Sequence, residues 1–238
     1  MFVGFALPES QASPGTVVLH LAAPYKGWAL VGDSHFAPYR CSRYAFPVPI
    51  SFNLSTGTAT SESESNVATS YCAKQGGSIG STGSVGQFTS SNFTGIGGPH
   101  RLVSVTWQFN WTVNLTTIGG PNYTLAYDSI GLYPPAICDQ AFAGKSGCTT
   151  YPKSPWNDVI WFPAANSSSN STSLFKNYSA RVQLYFVTSM NASRVYRVVT
   201  GFYAETFSHA WGKKHFASAE MLMAPPYGYA KLVSVDVV

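Results

Sequence analysis

The sequence predicts an all-β protein, a β-sandwich or jelly-roll-like single domain with a short apolar strand at its N-terminus. Three observations lead there. Across residues 103–116, seven apolar residues (Val103, Val105, Trp107, Phe109, Trp111, Val113 and Leu115) alternate without a break with seven polar ones. Only an extended strand sorts a period of two onto two faces. Further segments rich in Val, Tyr, Phe and Thr are separated by Gly, Pro, Asn and Ser, the residues that turn chains. Helical periodicity is nearly absent.

In chain order, Phe2, Val3, Phe5, Ala6 and Leu7 make the N-terminal strand, and Pro8, Ser10, Ser13, Pro14 and Gly15 make a tether behind it. Residues 1–15 therefore form one unit and 16–238 the sandwich body. An apolar strand on a tether must cover its side chains, either in its own sheet or by completing the sheet of a neighbouring copy. Within the body, strands are expected at 16–22, 28–31, 123–130, 158–162, 180–188, 195–207 and 231–238 besides 103–116. At ~3.3 Å per residue the 103–116 strand would extend about 45 Å, so a bend or bulge within it is expected. Residues 51–98, dense in Ser, Gly and Thr, are expected to hold long loops or glycine-bearing edge strands. Residues 164–179 read as an exposed glycosylated loop, and 215–224 as a short helix ended by Pro225 and Pro226.

Charged residues make up only 10% of the chain, against about 25% in ordinary soluble domains. Their place is taken by 30 Ser, 19 Thr and 35 aromatic residues, enough rings for a large, stiff core. The net charge is +4 and the longest basic run is Lys213-Lys214, so nothing marks a nucleic-acid-binding stripe. No apolar run approaches the ~18 residues that span a bilayer. Residues 1–7 lack a basic leader and Pro8 follows at once, so the numbering is expected to begin at or near a processed N-terminus.

Asparagine usage points to the compartment. Nine of the 11 Asn begin an Asn-x-Ser/Thr triplet: Asn53, Asn92, Asn110, Asn114, Asn122, Asn166, Asn170, Asn177 and Asn191. Chance placement among 49 Ser and Thr would give about two, so the triplets are read as glycan acceptors on an extracellular, cell-surface chain. Asn110 and Asn114 fall on the polar face of the alternating strand, where sugars would meet solvent. The four cysteines (Cys41, Cys72, Cys138 and Cys148) form no CxxC, which removes support for zinc-ribbon and thioredoxin-like readings. Of the three possible pairings, Cys41 with Cys72 and Cys138 with Cys148 are favoured because each closes a local loop in an oxidising compartment.

Candidate chemistry is sparse. Gly76-Gly77-Ser78-Ile79-Gly80 matches the GxSxG elbow in letters only, since no helical pattern follows it. Asp158 and Glu205 lie in aromatic strand sequence, and Tyr203–Phe207 resembles the acid-bearing strand of jelly-roll glycosidases. Such enzymes need two carboxyls about 5–10 Å apart across a sugar groove. His209 and His215, with Glu205 and Glu220 near in sequence, could gather around a metal, yet no HExxH is present and Lys213-Lys214 would repel a cation. No catalytic residue, metal or cofactor is expected beyond covalent glycans.

The apolar N-terminus, the Pro/Ser/Gly tether, the charge-poor all-β body and the dense sequons together resemble archaeal extracellular filament subunits of the thread or bundling-pilus type. The resemblance implies that Phe2, Val3, Phe5, Ala6 and Leu7 form a donor strand inserted into the next subunit. It further implies that the partner is a copy of the chain itself, in a glycan-coated fibre for adhesion or cell–cell contact. Surface glycans or neighbouring cells would be further partners. Type IV pilins, which need a long apolar N-terminal helix, are excluded. The rival readings are a secreted jelly-roll glycoside hydrolase, a sugar-binding adhesin, or a virion surface protein.

Overall fold

A computed structural model describes residues 19–31, 35–36, 42–47, 51–68, 77–119, 124–140, 148–150, 160–167, 171–211 and 215–238. Among them, fifteen strands build two antiparallel sheets that pack face to face as a sandwich. The first sheet contains β1 (Leu19–His20), β4 (Ser42–Pro47), β5 (Ser51–Asn53), β6 (Thr58–Ala68), β8 (Gly98–Ile118), β12 (Ser171–Met190), β14 (Phe216–Met223) and β15 (Tyr229–Val237). The second contains β2 (Lys26–Val31), β3 (His35–Phe36), β7 (Gly77–Thr89), β9 (Thr124–Asp139), β10 (Cys148–Thr150), β11 (Ile160–Ser167) and β13 (Tyr196–Trp211).

The alternating segment is the middle of β8, and its apolar row is the centre of the core. Val103, Val105, Trp107, Phe109, Val113 and Leu115 are at most 1% exposed. Trp107 packs against Phe88, Phe109 and Phe202, with ring centroids 5.5–5.6 Å apart. Its indole N–H donates to Thr200 Oγ1 at 3.0 Å, crossing from one sheet to the other. The expected irregularity falls on the partner: β15 carries an extra residue between Leu232 and Ser234 opposite Trp107 and Thr106.

β14 and β15 follow one course beside β8. Phe216–Leu222 pair with Ile118–Thr112, and Tyr229–Leu232 continue along Asn110–Trp107. Between them the chain turns out at residues 224–228, where the Tyr227 and Gly228 amides donate to the Ala224 carbonyl. Position 228 must be glycine, because a Cβ there would stand 2.1 Å from the Asn110 carbonyl oxygen.

Three sequence expectations are corrected. Residues 216–223 are a strand, not the expected helix over 215–224. Ala217, Ala219, Met221 and Met223 are buried while Phe216, Ser218, Glu220 and Leu222 are half-buried on the other face. Pairing to β6 on one side and β8 on the other outweighs the helical preference of Ala, Met, Leu and Glu. Most of the Ser/Gly-rich region 51–98 is the strands β6 and β7, each with strand neighbours on both sides, and among the described strands only the three-residue β5 within it is an edge. Residues 164–179 are largely strand: β11 runs to Ser167, and β12 begins at Ser171. Leu174 and Tyr178 there turn towards the core, a period of two that the surrounding Ser and Asn obscure.

Candidate assembly edge and surface sites

Among the described strands, β12 is a long edge of the first sheet. It pairs with β8 from Ser171 opposite Ile118 to Met190 opposite Gly98, and no described strand pairs with its other side. Roughly half of its backbone N–H and C=O groups thus point away from β8. Proline is absent from it, and Lys176 and Arg181 are its only charged residues. Its inward row of Leu174, Tyr178, Ala180, Val182 and Leu184 packs against the core but is only half-buried. On the outer face Phe175, Tyr185 and Val187 are 63%, 50% and 57% exposed. An unprotected edge beside a half-covered apolar row is the geometry that accepts an added strand.

The donor residues Phe2, Val3, Phe5, Ala6 and Leu7 lie outside the described residues. The first described strand, β1, pairs Leu19 with Val237 and His20 with Asp236 at the end of β15. Three strand spacings, about 14 Å, separate β1 from β12 across the sheet. The twelve residues from Leu7 to Leu19 span up to about 40 Å when extended. The N-terminal segment therefore has the length to reach a β12 edge, its own or a neighbour's.

The sequons divide by environment. Asn53, Asn92, Asn177 and Asn191 are exposed. In Asn53-Leu-Ser55 the Ser55 hydroxyl donates to Asn53 Oδ1 at 2.7 Å. In Asn191-Ala-Ser193 the Ser193 amide and hydroxyl both donate to Asn191 Oδ1, at 3.0 and 2.8 Å. Asn92 and Asn191 flank one end of the sandwich, where Phe93 bridges Tyr196 and the Gly95 amide donates to the Ala192 carbonyl. Asn177, on β12, accepts the Thr112 hydroxyl at 2.7 Å. Asn110 and Asn114 are half-buried instead of freely open to solvent. β8 has neighbours on both sides, so its polar row is hemmed in, and Asn114 Nδ2 donates to Glu220 Oε2 at 3.0 Å. Asn166 is on β11; Asn122 and Asn170 lie outside the described residues.

Cys138 is disulfide-bonded, and the register of β9 and β10 sets Cys148 directly opposite it. Cys41 and Cys72 lie outside the described residues.

The chemical candidates are dispersed. Glu205 is half-buried on the outer face of the second sheet, whereas Glu220 is on the outer face of the first, with the core between them. His209 shares the Glu205 face, and burial lowers its pKa from the ordinary value. His215 lies just before β14 with its ring against the Trp211 carbonyl. Among the described residues no three His, Cys, Asp or Glu side chains gather as metal ligands. Ser78 is inside β7 opposite Ala210, in continuous strand rather than at a strand-to-helix elbow. Asp158 lies outside the described residues. Two features escaped sequence reading. Asp128 is fully buried in the sandwich opposite Thr206, and Ser129 is buried opposite Glu205. A single carboxylate or hydroxyl in a strand carries no spacing signal.

No helix among the described residues is long and apolar enough to cross a membrane. No family model matches the chain, and no curated protein matches it.

Proposed function

We propose that the chain is a structural subunit of a self-assembling, N-glycosylated extracellular filament, joined by insertion of residues 2–7 of one copy along β12 of the next. The observation that carries this reading is the β12 edge, which has no second neighbour among the described strands, with its half-buried apolar row. The apolar segment Phe2, Val3, Phe5 and Leu7 supplies what that row lacks. Burying those four side chains at ~1.5–3 kcal/mol each contributes on the order of 6–12 kcal/mol before ordering costs. Exposed sequons at Asn53, Asn92 and Asn191 are consistent with a sugar coat that keeps a charge-poor surface soluble.

Deletion of residues 1–7 tests the joint. The expected product is a folded monomer that forms no fibres by electron microscopy and gains thermal stability when the free peptide is added. Val182→Lys should block fibres in the same way while leaving the monomer folded. Normal fibres from the truncated chain would refute the donor mechanism. Unfolding that peptide does not reverse would place the segment in its own core. Glycopeptide mapping of native material should find sugar on Asn53, Asn92 and Asn191, and bare asparagines throughout would remove the secreted-glycoprotein reading.

A further inference from the structure

We infer that the first sugar ring of a glycan on Asn177 is seated on the side chain of Phe175, which serves as the platform of that glycan. The inference rests on the reading that the chain is N-glycosylated and is independent of how copies join. Phe175 is 63% exposed, more than any other large apolar side chain among the described residues. It precedes Asn177 by two positions on β12, so both side chains leave the outer face, about 7 Å apart along the strand. Of the nine sequons, Asn177 alone has an aromatic residue at that offset; Ser, Thr, Gln, Gly or Ala holds the place in the other eight.

Two sequon asparagines adjoin the ring, and their surroundings choose between them. Asn114 stands directly opposite Phe175 on β8, but it is half-buried, and its Nδ2, the atom a glycan would take, donates to Glu220 Oε2 at 3.0 Å. Asn177 is exposed, and its Oδ1 accepts the Thr112 hydroxyl at 2.7 Å. That bond turns Oδ1 towards β8 and Nδ2 away from it. In the attachment step Nδ2 bonds to the anomeric carbon of a lipid-linked sugar phosphate. The C–O bond to phosphate breaks, the phosphate leaves with the electron pair, and the amide gives up one proton. Oδ1 and its bond to Thr112 are untouched. A pyranose presents a face of C–H groups, and the electron-rich face of an aromatic ring is a flat apolar surface for it to cover. Water leaves both faces, and an exposed apolar ring is covered. The glycan stands perpendicular to the sheet, so it does not occupy the hydrogen-bonding edge of β12.

The full chain and its variants are produced in a host that attaches N-glycans, and glycopeptide mass spectrometry reads the occupancy of Asn177. Thermal melts then compare Phe175→Ala, Asn177→Gln and the double variant. The loss of Tm from Phe175→Ala is expected to be about 2 °C larger in the chain with sugar on Asn177 than in the Asn177→Gln background. Phe175→Tyr keeps a flat ring and should melt as the parent does in both. Equal losses in the two backgrounds, with Asn177 glycosylated, would overturn the contact and leave the glycoprotein reading standing. A bare Asn177 in a chain whose other sequons carry sugar would do the same. Bare asparagines throughout would remove both.

Discussion

β8 and β12 lie side by side, paired residue for residue along nearly their whole length, and both alternate apolar with polar residues. Their fates differ. The inward row of β8 is sealed, while the inward row of β12, from Leu174 to Leu184, is half open. β8 has β14 and β15 on one side and β12 on the other; β12 has only β8 among the described strands. Periodicity makes each a strand, and the number of neighbours decides how much of its apolar face leaves water. The polar rows differ for the same reason. Asn114 is hemmed in against Glu220, and Asn177 two strand positions along the neighbouring edge is exposed.

The contrast can be broken by paired truncations. Trp107→Ala should cost about 3–5 kcal/mol, since it empties the centre of the core and leaves Thr200 without its indole donor. Val182→Ala should cost about 1 kcal/mol, because part of that side chain is already in water. Urea denaturation of the two variants measures both, and equal losses would mean that the edge is as closed as the centre.

The edge of the other sheet offers an intermediate case. With Cys148 opposite the disulfide-bonded Cys138, a bridge between them would pin the three-residue β10 to β9. Non-reducing peptide mapping should recover the two together, and replacing both by alanine should cost about 3 kcal/mol for a loop of this length. Recovery of Cys138 with a different cysteine would refute the pairing.

The smallest effect belongs to the polar row itself. Glu64 of β6 faces Glu220 of β14 directly. Burial, and then the Glu220 charge, hold the Glu64 carboxyl above its ordinary pKa. A folded-state value above the unfolded one means that the fold holds this proton more tightly. Its contribution is therefore complete below the ordinary glutamate range and is lost as pH rises through the raised value. Glu220→Gln removes the second cause, so Glu64 should titrate at lower pH in carboxyl-resolved NMR and the stability profile should flatten there. An unmoved Glu64 titration would leave burial as the whole cause.

Legibility followed the strength of the local pattern. Residues 103–116 were readable because seven rings and branched chains in strict alternation leave no other conformation that buries them. Residues 171–179 were not, because Ser and Asn on the outer face, with Lys176 on the inner one, dilute the same alternation. Residues 216–223 read as helix because Ala, Met, Leu and Glu favour one locally, and only the slot between β6 and β8 extends them.

The amino-acid order alone determined the all-β class, the strand at the centre of the core and the positions of the sequons. Each of these depends on residues near one another in the chain. The tertiary structure decided which strand became an edge and which asparagines were hemmed in. Those properties depend on the neighbour across a hydrogen-bonded ladder, which comes from a distant part of the chain and leaves no mark in local sequence.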